Sequence, residues 1–293
     1  MLTEIAQFQQ WLRRRSPHAS THIHYTNDIH LFYDWSGKSI AEINASDVDN
    51  YIDHCQNEGH ASATINRRLA ALRSLYRYLD LISPDAPPNP VLPQRHYIRR
   101  GRHLPRDVSD DVLDTLFSVI HFPRDYAMFL LMLRCGLRVG EVRNLNMHDL
   151  LLLPSTGRLP RLRVVGKGDC ERVVYLSNQA LNGLSGWLAV RPEVDEPAVF
   201  LNRFQRRFTV TGIQFLLAGY CQETAVWVTC HQLRHTFARH LIEASVPVTT
   251  VQRLLGHARL RTTEAYLHIS DTQTQADYSA AMQILESRLG GAA

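Results

Sequence analysis

Five prolines fall within residues 83–104 (SPDAPPNPVLPQRHYIRRGRHL), and no helix runs through such a stretch, because each proline fixes φ and removes a backbone donor. The chain of 293 residues is thereby divided. Residues 1–82 precede the break and residues 105–293 follow it, each long enough to bury a core of its own. Residues 83–104 read as an extended, semi-rigid linker ending in a basic run from Arg95 to Arg102. A plain tether needs no such run.

The first part reads as four helices. Ile5, Phe8 and Trp11–Leu12 follow a helical stripe, and a second segment carries Tyr25, Ile29 and Phe32–Tyr33. Ser46-Asp47-Val48 supplies an N-cap signal for a third. SATINRRLAALRSLYRYLDL sets Ile65, Leu69, Leu72, Tyr76 and Leu79 on one face, with Arg67, Arg68, Arg73 and Arg77 on others, which predicts a small bundle with a basic side. Beyond residue 105 the pattern is again helical, with one exception. In RLRVVGKGDCERVVYL two β-branched runs flank Gly166-Lys167-Gly168-Asp169, the pattern of a hairpin. The tail TQTQADYSAAMQILESRL sets Tyr278, Met282, Leu285 and Leu289 on one stripe of a helix over about 272–289.

Composition narrows the class. A 45% hydrophobic and 20% charged chain is that of an ordinary globular protein, and no run of about 18 apolar residues crosses a bilayer. The amphipathic N-terminus lacks the order of a secretory signal. Five scattered cysteines without a CxxC fit a reducing cytosol. The net charge of +4 is mild, but lysine occurs only at Lys38 and Lys167, so the basic residues are almost all arginine, whose planar fork suits phosphate. A coding bias explains the same scarcity. In either case, chemistry that needs an ammonium group has two candidates.

Four segments hold residues able to do chemistry. CGLRVGEVRNL has Arg138 with Glu141 one turn later, which alone reads as a surface ion pair. VGKGDCER has Lys167 at the hairpin tip. HQLRHTFARH has His231, Arg234 and His235 in a helical stretch. Histidines four apart suggest zinc, yet Gln232 stands where a metalloprotease has glutamate and no clustered ligands complete a site, so no metal is expected. LLGHARLRTTEAYLHI has His257 nine residues before Tyr266. An isolated tyrosine there is ordinarily structural.

Taken together, GLRxxE, GKG, HxLRHTFA, LGH and a following tyrosine resemble the signature of the tyrosine recombinases over roughly residues 105–270, and the TINRRLAALRSLYRYL helix resembles that family's SAM-like core-DNA-binding domain. The resemblance implies a mainly α fold: a four-helix N-terminal domain (1–82), the linker, and a mostly helical catalytic domain (105–293) with a small β-hairpin, forming a C-shaped clamp on double-stranded DNA. It implies Arg138, Lys167, His231, Arg234, His257 and the nucleophile Tyr266 as catalytic residues, Glu141 and His235 as their support, and Arg67, Arg68 and Arg73 as DNA contacts. Further implications are a dimer on one site, a tetramer in the synapse and a C-terminal helix exchanged between subunits, with accessory proteins left open, no cofactor, and a place on the nucleoid in a bacterial cytoplasm. Two departures stand out. Cys170 replaces a basic residue common after GKG, and LLLPSTGRLPRLR before the hairpin is long.

The chemistry suits these residues. Tyrosine, with a pKa near 10, needs a proton acceptor, for which His231 is the choice. Two arginines stabilise the phosphorane-like transition state, and Lys167 protonates the leaving 5′-oxygen. The phosphotyrosyl bond keeps the energy for rejoining, so ATP is not required, and no Walker motif is present. The alternatives at this stage are a type IB topoisomerase with similar chemistry and a non-catalytic DNA-binding derivative of the same scaffold.

Overall fold

The computed structural model describes residues 2–17, 20–99, 108–152, 159–166 and 171–256. The chain forms two compact units, Met1–Arg102 and His103–Ala293.

In the first unit, α1 (Leu2–Arg15), α2 (Thr21–Ser36), α3 (Ala45–Asn57) and α4 (Ser62–Ile82) make the bundle. The five stripe residues of α4 are all buried, against Ile5, Phe8, Ile29, Phe32 and Tyr51 of the other helices. Each such side chain contributes about 1.5–3 kcal/mol when fully removed from water. Two core tyrosines satisfy each other: the Tyr33 and Tyr76 hydroxyls lie 3.0 Å apart and Tyr76 donates to the Ile40 carbonyl at 2.7 Å. The third helix begins earlier than its Ser46-Asp47-Val48 signal. Its cap is Asn44, whose Oδ1 accepts from the backbone of Ser46 and Asp47, while Asp47 Oδ2 accepts from the backbone of Asn44.

The proline-rich segment does more than span a gap. It contains a one-turn helix, α5 (Pro93–His96), with Pro93 in the first turn, where its missing N–H costs nothing. Val91 and His96 are buried, and the Asn66 side chain donates to the Ile98 carbonyl at 2.9 Å and accepts from its N–H at 3.0 Å. Residues 83–99 therefore pack as part of the first unit, because their apolar and polar groups find partners on α3 and α4.

The second unit is built around α7 (Pro123–Cys135), buried along most of its length. It is flanked by α6 (Asp110–Ser118), α8 (Val139–Asn144), α9 (Asn178–Val190), α10 (Val210–Glu223), α11 (Cys230–Glu243) and α12 (Val248–Leu255). The expected hairpin is present as β2 (Arg161–Val165) and β3 (Glu171–Tyr175), antiparallel with Val164 opposite Arg172. A two-residue strand, β1 (Leu150–Leu151), adds an edge that the sequence pattern did not reveal. Leu162, Val164 and Val174 face the core, and Arg172 shares their side of β3. No helix among the described residues is long and apolar enough to cross a membrane.

Candidate active site

The site begins where α7 stops. Gly136 caps the helix with φ +66, and a Cβ there would lie 2.4 Å from the Phe237 ring of α11. Only glycine fits that close approach, which brings the end of α7 against α11. Two residues later Arg138 stands at the N-cap of α8 with extended backbone, and Glu141 reaches back from the first turn to accept the Arg138 N–H at 2.7 Å.

Glu141 is the hub. Its side chain is 5% exposed, and three guanidinium groups converge on it. Arg138 Nη1 donates to Oε1 at 2.8 Å. Arg172, from the inner face of β3, grips both oxygens, Nη1 to Oε1 at 2.6 Å and Nη2 to Oε2 at 2.8 Å. Arg234, from α11, lies 3.7 Å from Oε2. Burial raises the Glu141 pKa, but the hydrogen bonds and charge of Arg172, then those of Arg138, outweigh it and hold the carboxyl below its ordinary value. It is an anion at neutral pH. One carboxylate against three arginines leaves the cluster two positive charges in excess, a ready receptor for phosphate.

Arg234 is 2% exposed, and its Nη1 donates to the Gly136 carbonyl and Nη2 to the Leu255 carbonyl at 2.6 Å. Arg172 Nε donates to the neighbouring Leu254 carbonyl at 3.2 Å. The Leu254 and Leu255 carbonyls are left over at the end of α12, which closes on Gly256 at φ +62. Two arginines thus hold the helix end that leads directly to His257. Arg138, 39% exposed, keeps part of its guanidinium open to solvent.

His231 sits in the first turn of α11, whose cap is reciprocal: Thr229 Oγ1 accepts from Gln232 N at 3.2 Å and Gln232 Oε1 accepts from Thr229 N at 3.0 Å. Gln232, which argued against zinc, is a capping residue. Although His231 is exposed at the surface, desolvation by its neighbours lowers its pKa, and the charges of Arg234 and Arg138 lower it further. A neutral imidazole able to take a proton is the result. His235, half-buried one turn on, meets it edge to face with ring centroids 4.1 Å apart. Among the described residues no group of three or more His, Cys, Asp or Glu has the arrangement of a metal site.

Of the sequence-predicted residues, the structure brings together Arg138, Glu141, His231, Arg234 and His235. Lys167, His257, Tyr266 and the helix over about 272–289 lie outside the described residues. Arg172 was missed. Its signal was an arginine on the inward side of a strand, hidden because ERVVY lacks clean alternation. In the first unit, Arg67 Nη1 pairs with buried Asp28 at 2.5 Å, and Arg68 Nη1 lies 3.3 Å from both the Tyr51 hydroxyl and Cys55 Sγ. The Arg73 backbone carbonyl accepts from Asn89 at 3.0 Å, and its half-buried side chain stays on the α4 surface.

Comparison with known proteins fits this arrangement. Residues 106–273 match the phage integrase family and residues 5–80 match the phage integrase N-terminal SAM-like domain. Tyrosine recombinase XerC of Haemophilus ducreyi is 33% identical over 246 residues, covering 78% of this chain and 75% of that protein. Tyrosine recombinase XerD of Listeria monocytogenes is 31% identical over 264 residues, covering 84% and 86%. The fold is that of the Tn1549 transposon integrase in complex with transposon right end DNA (TM-score 0.75, 15% identity, 95% of this chain and 99% of that one). It is likewise that of XerH bound to palindromic difH (TM-score 0.73, 20% identity, 88% and 79%). The topoisomerase alternative is not favoured. With both of its parts matched, the chain belongs to the phage integrase family and is a site-specific tyrosine recombinase of the Xer type.

Proposed function

We propose that the chain cuts and rejoins double-stranded DNA at a recombination site through Tyr266. The Tyr266 oxygen attacks the scissile phosphorus as its proton passes to His231, forming a 3′-phosphotyrosyl bond. The bond to the 5′-oxygen breaks, and Lys167 supplies the proton that the leaving alkoxide takes. Arg138 and Arg234 bind the non-bridging oxygens, and His257 adds a hydrogen bond to them. Attack by the 5′-hydroxyl of a partner strand reverses the step, and two rounds pass through a Holliday junction.

The observation that carries this reading is the convergence of Arg138 and Arg234 on Glu141, beside a histidine whose pKa is lowered. In the first unit we assign Arg67, Arg68 and Arg73 to the DNA face, with Arg67 and Arg68 also bracing the bundle. The assembly would be a dimer on one site and a tetramer in the synapse, with the helix over about 272–289 docked into a neighbouring subunit and both units clamped on one duplex. The relatives being bacterial, the setting would be nucleoid DNA in a bacterial cytoplasm. The test is a nicked suicide substrate of the candidate site. The wild type should trap a detergent-resistant adduct, and an adduct that persists in Tyr266→Phe would overturn the assignment.

A further inference from the structure

Arg172 lies beside the proposed chemistry without a part in it. All three of its guanidinium nitrogens are engaged, two on Glu141 and one on the Leu254 carbonyl, and the side chain is only 12% exposed. A group so committed has little left for DNA. Its effect falls on its partners. Glu141 offers four lone-pair sites, and Arg172 occupies one on each oxygen, leaving Arg138 a single side-chain bond and Arg234 a distance of 3.7 Å. Without Arg172 the buried carboxylate would take its missing bonds from Arg138, the most exposed of the three, in the bidentate geometry that guanidinium and carboxylate prefer. The excess charge facing a phosphate would fall from two to one.

We infer that Arg172 is a positioning residue for cleavage: by saturating Glu141 it keeps the exposed Arg138 guanidinium open to the phosphate, and by holding the Leu254 carbonyl it fixes the end of α12 against the hairpin. The inference rests on the proposed role of Arg138. A second contact supports it. The Arg172 Cδ lies 2.9 Å from where a Cβ on Gly256 would be, so strand and helix end are fitted to this one side chain.

The test is single-turnover adduct formation on bound half-site DNA, using the full chain. Arg172→Gln should bind the half-site as the wild type does and cleave about a hundredfold more slowly, the penalty of a misplaced catalytic group. Arg172→Lys should recover part of the rate. The deciding variant is the double substitution Glu141→Gln with Arg172→Gln. It removes the carboxylate that captures Arg138, restores the two-charge excess and swaps both partners of a buried pair together, which folds more readily than losing one. It should cleave faster than Arg172→Gln yet more slowly than the wild type, because the Leu254 carbonyl stays unheld and Glu141 no longer orients Arg138. A double variant no faster than Arg172→Gln would overturn the inference, as would an Arg172→Gln that cleaves normally or loses half-site binding altogether. Were the wild type itself to form no adduct, the recombinase chemistry would fail first, a separate outcome visible in the same gel.

Discussion

Gly136 and Phe237 compete for the same space: a methyl group on the glycine would sit 2.4 Å from the Phe237 ring. Arg234, three residues before that ring, donates to the Gly136 carbonyl itself. Gly136→Ala should therefore do two things. Left-handed backbone at a non-glycine residue costs about 1–2 kcal/mol, lowering the melting temperature. The displaced Phe237 should also shift α11, reducing adduct formation by more than the stability loss explains. Adding Phe237→Leu should return part of the activity, and an unchanged double variant would show that the contact does not position Arg234.

Glu141 gives a pH signature to folding. Its folded-state pKa lies below 4.5, so its contribution is fully present above 4.5 and is lost as pH falls through the lower folded value. Glu141→Gln should lose stability at neutral pH by about 3–5 kcal/mol, as when one partner of a buried ion pair is removed. The loss should shrink at acid pH. Urea unfolding at pH 7 and pH 4 measures both.

For His231, as for Glu141, it is acid that removes the useful form. The neutral form is the proton acceptor, and the pKa is lowered from 6.5, so cleavage should hold its rate at pH 6.5 and decline only further into acid. Arg138→Gln removes one of the charges that lowers this pKa, so the acid limb should move upward. A pH–rate profile of adduct formation with both proteins decides the point, and coincident acid limbs would sink it.

Arg67→Ala removes the partner of Asp28, whose carboxyl burial pushes up and the Arg67 charge pulls down. An unpaired buried group costs about 1–3 kcal/mol, so melting should fall, less so at acid pH, where Asp28 is protonated. If Arg67 also contacts a phosphate, the log–log salt slope of half-site binding should flatten by about 0.9. An unchanged slope would leave Arg67 a brace only.

Much of this was legible in the sequence, because local pattern carried it. The α4 stripe declared its buried face, the glycine-centred turn declared the hairpin, and the spacing of Arg138 and Glu141 put them one helical turn apart, as they are. What escaped depended on chain-distant neighbours. The burial of Arg172 is decided by α8 and the end of α12, 31 and 82 residues away along the chain. Asn44 outcompeted Ser46 as a cap because Asp47 was placed to answer it. The prolines at 83–104 were read as an extended linker since proline excludes long helices, but nothing in their pattern foretold that Asn66 would hold Ile98.

That amide pair has a practical consequence for the boundary of autonomous folding. Asn66 offers Ile98 a donor and an acceptor together, as a neighbouring strand would, and Val91 and His96 of the same segment are buried. A fragment ending at residue 82 would bare the surface that Val91 covers and leave both ends of the Asn66 amide to water. Such a truncation should open early in hydrogen exchange and self-associate through the uncovered patch, whereas one ending after Arg99 should melt as a single cooperative unit. The smallest piece that folds alone should therefore include the prolines.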